Sequence, residues 1–135
     1  MVPRTRGTLV TFSVAPDMFE SLVADALDDL PERFRDALDN IEVLVEDFPD
    51  RHTLHLARIP SRYDLLGFYH GVPLTERTSH YGMISPDRIS IYRKPIEAQS
   101  NSMEELREMV VRVVRHEIAH YFGIDDDRLR EIGAY

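Results

Sequence analysis

His116, Glu117 and His120 stand in the order His-Glu-x-x-His, and no other stretch of the 135 residues asks for so particular a chemistry. On a helix, residues four apart are separated by about one turn and ~6 Å of rise, so both imidazoles leave the same face. Two ring nitrogens can then reach one ion. Zinc accepts neutral imidazole, and a catalytic zinc typically takes three protein ligands and keeps one position open for water. Gly123, three residues past His120, suits a helix end, where a left-handed residue costs least as glycine. The chain can turn back there, which makes the carboxylate of Asp126 the candidate third ligand. Asp125, Asp126 and Asp127 read equally as the acidic first turn of a last helix, where carboxylates cap free amides and favour the dipole. Glu117 adjoins the first histidine and would lean over the open position, where a carboxylate can take a proton from an attacking water.

The competing reading is a buried helix that carries two ordinary histidines. From average residue usage, the five-residue pattern arises by chance in a chain this long with a probability of roughly half a per cent. The glycine and aspartate at fixed offsets lower that by roughly two further orders. Flanking a buried glutamate with two histidines is also costly without a counter-charge, which favours a metal.

The run His116-Glu117-x-x-His120-x-x-Gly123-x-x-Asp126, followed by Leu129, resembles the zincin metallopeptidases, and in particular a family of small bacterial minimal zincins of about this length. The similarity extends to Phe19–Pro49, Leu65–Tyr69, Gly71–Thr75 and Arg88–Arg93. By that resemblance His116, His120 and Asp126 are the ligands of one zinc ion and Glu117 is the general base. It further implies a central third strand, and a second strand forming an edge along which a peptide substrate pairs, with Gly67, Tyr69 and Gly71 at the substrate. The motif also resembles that of metzincins with aspartate in place of the third histidine. A metzincin continues into a methionine turn and a C-terminal subdomain, whereas Asp126 lies close to the end of this sequence, so weak or narrow activity is expected.

Composition narrows the partners. The chain has 24 acidic and 16 basic residues and a net charge of −8, which opposes binding to phosphate backbones or anionic membranes. There is no cysteine, so any zinc must be held by histidine and carboxylate, and a reducing cytoplasm is the expected compartment. Arg112 and Arg115 interrupt the apolar stretch near the end, so no segment reads as a membrane span. Residues 1–15, with Arg4 and Arg6 before a short apolar run, faintly resemble a secretory signal but read better as an irregular, strand-like or disordered leader.

The elements that must position the motif follow in order. Asp17 and Glu20 form a candidate capping box, and Phe19, Leu22, Val23, Ala26, Leu27 and Leu30 recur at helical spacing. Pro31 suits the first position of a shorter second helix that ends near Asn40. Twelve acids and two arginines lie between Asp17 and Asp50, as on the solvated face of helices lying on a sheet. Ile41, Val43 and Val45 alternate with polar residues as a strand with one face inward. Residues 50–64 carry no clear pattern, and His52 and His55 read as surface residues. Leu65–Tyr69 reads as a second strand, closed by Gly71-Val72-Pro73; proline there suits a sheet edge. Residues 74–87 read as a polar loop with His80 and Tyr81 at the surface; Ile89 and Ile91 alternate with Ser90 and Tyr92 in a third strand that Lys94-Pro95 ends.

Ser102 and Glu105 then mark the clearest helix start. Met109, Val113, His116 and His120 make one stripe and Val110, Val114 and Ile118 a neighbouring one, with Glu108, Arg112, Arg115 and Ala119 on the wetter face. The histidines thus emerge where a core stripe enters a cleft. A short helix from Asp125 to Ile132 closes the chain. The fold expected is α+β and zincin-like: one domain over 16–135, with a small three-stranded sheet packed on a long active-site helix, two N-terminal helices and a short C-terminal helix. The expected function is zinc-dependent hydrolysis of a peptide or protein substrate. A non-catalytic metal-binding interaction module and an amidase acting on a non-peptide are the alternatives. Glu117 favours catalysis, because a purely structural zinc site needs four protein ligands and no acid beside an open position.

Overall fold

The computed structural model describes residues 13–71 and 87–124, together with Asp127 and Arg128. Pro16 opens the first helix, α1 (Pro16–Asp28), with Ala15 extended at its N-cap. The capping box expected at Asp17 and Glu20 does not form, because Pro16 takes the first helical position, where its fixed φ fits and its missing N–H is no loss. Asp17 lies inside the first turn instead, and Phe19, Leu22, Val23 and Ala26 are buried at the expected spacing. The second expected helix is a single turn, α2 (Glu32–Arg35), which Pro31 caps from outside before the chain tightens into a 3₁₀ turn through Asn40.

Next come β1 (Ile41–Glu46) and a helix that the sequence pattern did not announce, α3 (Arg51–Ala57). Asp50 starts α3: its carboxylate accepts the Thr53 amide at 2.7 Å, and this bond holds the Asp50 carboxyl below the usual aspartate range. Arg58, in the left-handed region at φ 60°, ends it. The remaining elements are β2 (Gly67–His70), β3 (Asp87–Tyr92), α4 (Arg93–Ala98) and α5 (Met103–Tyr121). Lys94-Pro95 does end β3, yet it does so inside α4, because proline in a first turn forfeits no helical hydrogen bond.

The sheet has the order β1-β3-β2, with β3 parallel to β1 and antiparallel to β2. Among the described residues the third strand is therefore central and the second an edge, as expected. Backbone bonds from Tyr92 to Leu66 and from Lys94 to Asp47 carry the pairing past both strand ends. Alternation in β3 does not separate a wet from a dry face, since Ser90 and Tyr92 are as buried as Ile89 and Ile91. On the second face the Ser90 hydroxyl donates to Glu46 Oε2 at 2.6 Å and lies 3.3 Å from His70 Nε2. Burial pushes the Tyr92 phenol up to about 12 and the His70 imidazole below its usual value.

One core joins the layers: Phe19, Leu22 and Val23 of α1, Ile89 and Ile91 of β3, and Leu106, Val110, Val114 and Ile118 of α5. α5 thus lies between α1 and the sheet. A buried polar knot ties the periphery to it. Arg93 donates to Asp47 at 2.9 Å, to Glu97 at 3.3 Å and to the Val14 carbonyl at 3.0 Å. Glu97 in turn accepts the Val14 amide at 3.0 Å, so the segment before α1 is held at two points.

Candidate metal centre

α5 is secured at both ends, which fixes the side chains near its C-terminus. At its start the Ser102 hydroxyl accepts the Glu105 amide at 3.1 Å. The reciprocal bond is displaced by one residue: Glu105 accepts from the Asn101 amide at 2.8 Å rather than from that of Ser102. At its end Gly123, at φ 83°, turns the chain, with its amide bonded to His120 O and that of Ile124 to Ala119 O, each at 2.9 Å. This is a Schellman closure, and it confirms the turn expected at Gly123. Two edge-to-face ring pairs brace the same end, Tyr69–Tyr121 at 5.9 Å and Phe34–Phe122 at 5.0 Å between centroids.

On this helix His116 and His120 stand with ring centroids 4.5 Å apart, as the four-residue spacing demands. Glu117 is 6% exposed, and its Oε1 lies 3.4 Å from His120 Nδ1. Candidate ligand atoms of all three side chains lie within 4.8 Å of one another. Among the described residues this is the one such gathering of histidines and carboxylates. Two imidazole nitrogens beside a carboxylate suit a borderline-soft divalent ion, so the donor set fits zinc. A buried carboxylate is expensive without a positive charge nearby, and a bound cation would supply one.

β2 comes close to this cluster because residue 67 has no side chain. A Cβ on Gly67 would meet Val113 Cγ1 at 2.8 Å, Glu117 Cγ at 3.1 Å and the Ser90 carbonyl at 3.2 Å. Gly71 is constrained in a similar way: a Cβ there would fall 2.7 Å from Asp87 Oδ1 and 2.8 Å from the Tyr69 hydroxyl. That hydroxyl donates to Asp87 Oδ2 at 2.5 Å, and Asp87 is buried. Asp87, expected at the end of a polar loop, opens β3 instead, and its carboxylate accepts from the Tyr69 hydroxyl, whose ring packs on Tyr121.

A cleft of about 740 Å³ opens between α5 and the chain that leads into and through β2. Gly67, Tyr69 and Gly71 line it together with His116, Glu117 and His120. The three residues expected at the substrate thus share one cavity with His116, Glu117 and His120. Met109, Arg112, Leu66 and Ile59 also line it. Their part could not be read beforehand, because only the tertiary fold brings residues 59–66 over α5. His52 and His55 are exposed on α3, away from the cluster. Asp126, Leu129, His80 and Tyr81 lie outside the described residues; of the expected last helix, Asp127 and Arg128 are helical.

A three-stranded α+β domain with a buried glutamate between two helix-borne histidines, opening on an edge-strand cleft, defines a zincin-type metal-binding fold. Over residues 38–134 the sequence matches the profile of the zincin-like metallopeptidases, and the chain belongs to that family. Among solved structures it is similar to a conserved hypothetical protein from Thermo thermophilus. That likeness has 19% identity and a TM-score of 0.51, and covers 81% of this chain and 94% of the other, so it speaks to the fold alone. No curated protein matches the chain. No helix among the described residues is long and apolar enough to cross a membrane.

Proposed function

We propose that the protein is a zinc-dependent metallopeptidase in which His116, His120 and Asp126 hold one zinc ion and Glu117 is the general base. The reading is carried by the burial of Glu117 beside a paired-histidine donor set, within a cleft whose far wall is a strand edge. When bound, zinc would supply a Lewis acid that polarises the scissile carbonyl and lowers the pKa of water toward ~7. Glu117 takes the proton of the attacking water and returns it to the leaving amine. Its Cγ lies close to Gly67, where any side chain would crowd it, and its carboxylate stands beside His120 Nδ1 at 3.4 Å.

Among the described residues β2 pairs with β3 only, which leaves its other side for an extended peptide to join as an added strand. Gly67 and Gly71 present no side chains there, and Tyr69 stands between them as a fixed ring. A peptide or protein is the substrate this arrangement suits. With a net charge of −8, nucleic acid and anionic membranes are poor partners.

The test is Glu117→Gln, assayed for both zinc content and cleavage of a broad peptide panel. The variant should retain zinc yet lose roughly 10²- to 10⁴-fold in turnover. A turnover equal to wild type would remove Glu117 from the role of base. Zinc binding without cleavage in the wild-type protein would leave a non-catalytic metal-binding module.

A further inference from the structure

We infer that the cleft selects peptides with a carboxylate one or two residues to the C-terminal side of the scissile bond, and that Arg112 is the residue that selects it. This rests on the peptidase reading and specifies its substrate. Gly67 lies against Val113 and Glu117, whereas Tyr69 lies against Tyr121, so β2 and α5 run in the same direction. Leu66, Met109 and Arg112 therefore mark one end of the cleft, and Gly123 and Ile124 the other, with the two histidines between.

A guest strand pairing antiparallel to β2, the commoner mode, places its C-terminal half over Leu66, Met109 and Arg112. Arg112 precedes His116 by four residues, so it lies on the same helix face about 6 Å back along the axis. An extended peptide advances ~3.3 Å per residue, which makes that distance about two residues. Met109 and Leu66 provide apolar wall, and Arg112 provides the cation, at that end of the cleft. Arg112 is exposed and makes no ion pair with any described residue. Its guanidinium can take a carboxylate in a bidentate fork without giving up an ion pair to a described residue.

A panel of peptides tests this, with Glu, Gln or Lys at each of the first three positions after the cleaved bond and with a free or amidated C-terminus. The zinc-loaded protein should favour Glu over Gln by about 5- to 10-fold in kcat/KM, mainly through KM, at the first or second position, and less so at high salt. A gain confined to the free C-terminus would assign the carboxylate to the chain end rather than to a side chain. Arg112→Gln should erase the preference, bringing kcat/KM on the Glu peptide down to that on the Gln peptide, and Arg112→Glu should turn it toward Lys. A preference that survives Arg112→Gln, or cleavage indifferent to charge, overturns the role of Arg112 and leaves the peptidase reading standing. Failure to cleave any peptide of the panel overturns both.

Discussion

A methyl group added at residue 67 would collide with Val113 and crowd Glu117, which makes this glycine a close gauge of the site. The branch of Val113 sits next to its own backbone and cannot swing aside as the tip of a long side chain could. Gly67→Ala should therefore cost about 1–3 kcal/mol in chemical denaturation and lower any turnover more than it lowers zinc retention. An alanine variant as stable and as active as wild type would mean that β2 is free to move away from α5. At this scale the sequence was legible wherever the chemistry is local. His116, Glu117, His120 and Gly123 lie within eight residues of one another, and the helix period converts their spacing directly into position. Asp87 and Tyr69 were not legible as a pair, because 18 residues separate them and only strand register brings the hydroxyl to the carboxylate. Arg112 was read as part of the wet face of its helix. It is exposed, yet it also lines the cleft, and which of the two matters depends on what stands across from it.

Ser102 does for α5 as an element what Gly67 does for Glu117 as a residue. Its hydroxyl satisfies a free amide at the start of the helix that carries both histidines, so Ser102→Ala should destabilise the fold by about 1 kcal/mol in thermal or urea unfolding. Because the cap is about five turns from the metal end, zinc affinity should change little; a large loss of zinc would show that the helix frays as a unit. Helices with strong local signals, α1 and α5, matched their apolar spacing closely. The short ones did not. α3 has seven residues and shows only Thr53 buried, too little to imprint an apolar period. α4 was hidden by Pro95, which reads as a stop unless the helix is known to begin just before it. The burial of Ser90 and Tyr92 comes from groups that cover the second face of the sheet, Glu46 and His70 at Ser90 and Thr53 at Tyr92, long-range contacts that no alternation within the strand could disclose.

For the whole molecule, the sheet, α1 and the Arg93–Glu97–Val14 knot hold α5 so that its histidine end opens on a cleft rather than on the core. Membership of the zincin-like metallopeptidases and the observed donor cluster agree on a metal centre. The proposed Asp126 ligand adds an oxygen as the third donor beside two imidazole nitrogens, and Asp126→Asn should weaken metal retention more than Asp125→Asn or Asp127→Asn; the reverse order would move the ligand to a neighbour. The most direct measurement is the metal content of the protein after loading with zinc and exhaustive removal of the excess, for wild type, His116→Ala and His120→Ala. Wild type should keep about one zinc per chain and each alanine variant close to none. Wild-type protein that emerges without zinc, or alanine variants that keep it undiminished, would contradict a metal centre on α5.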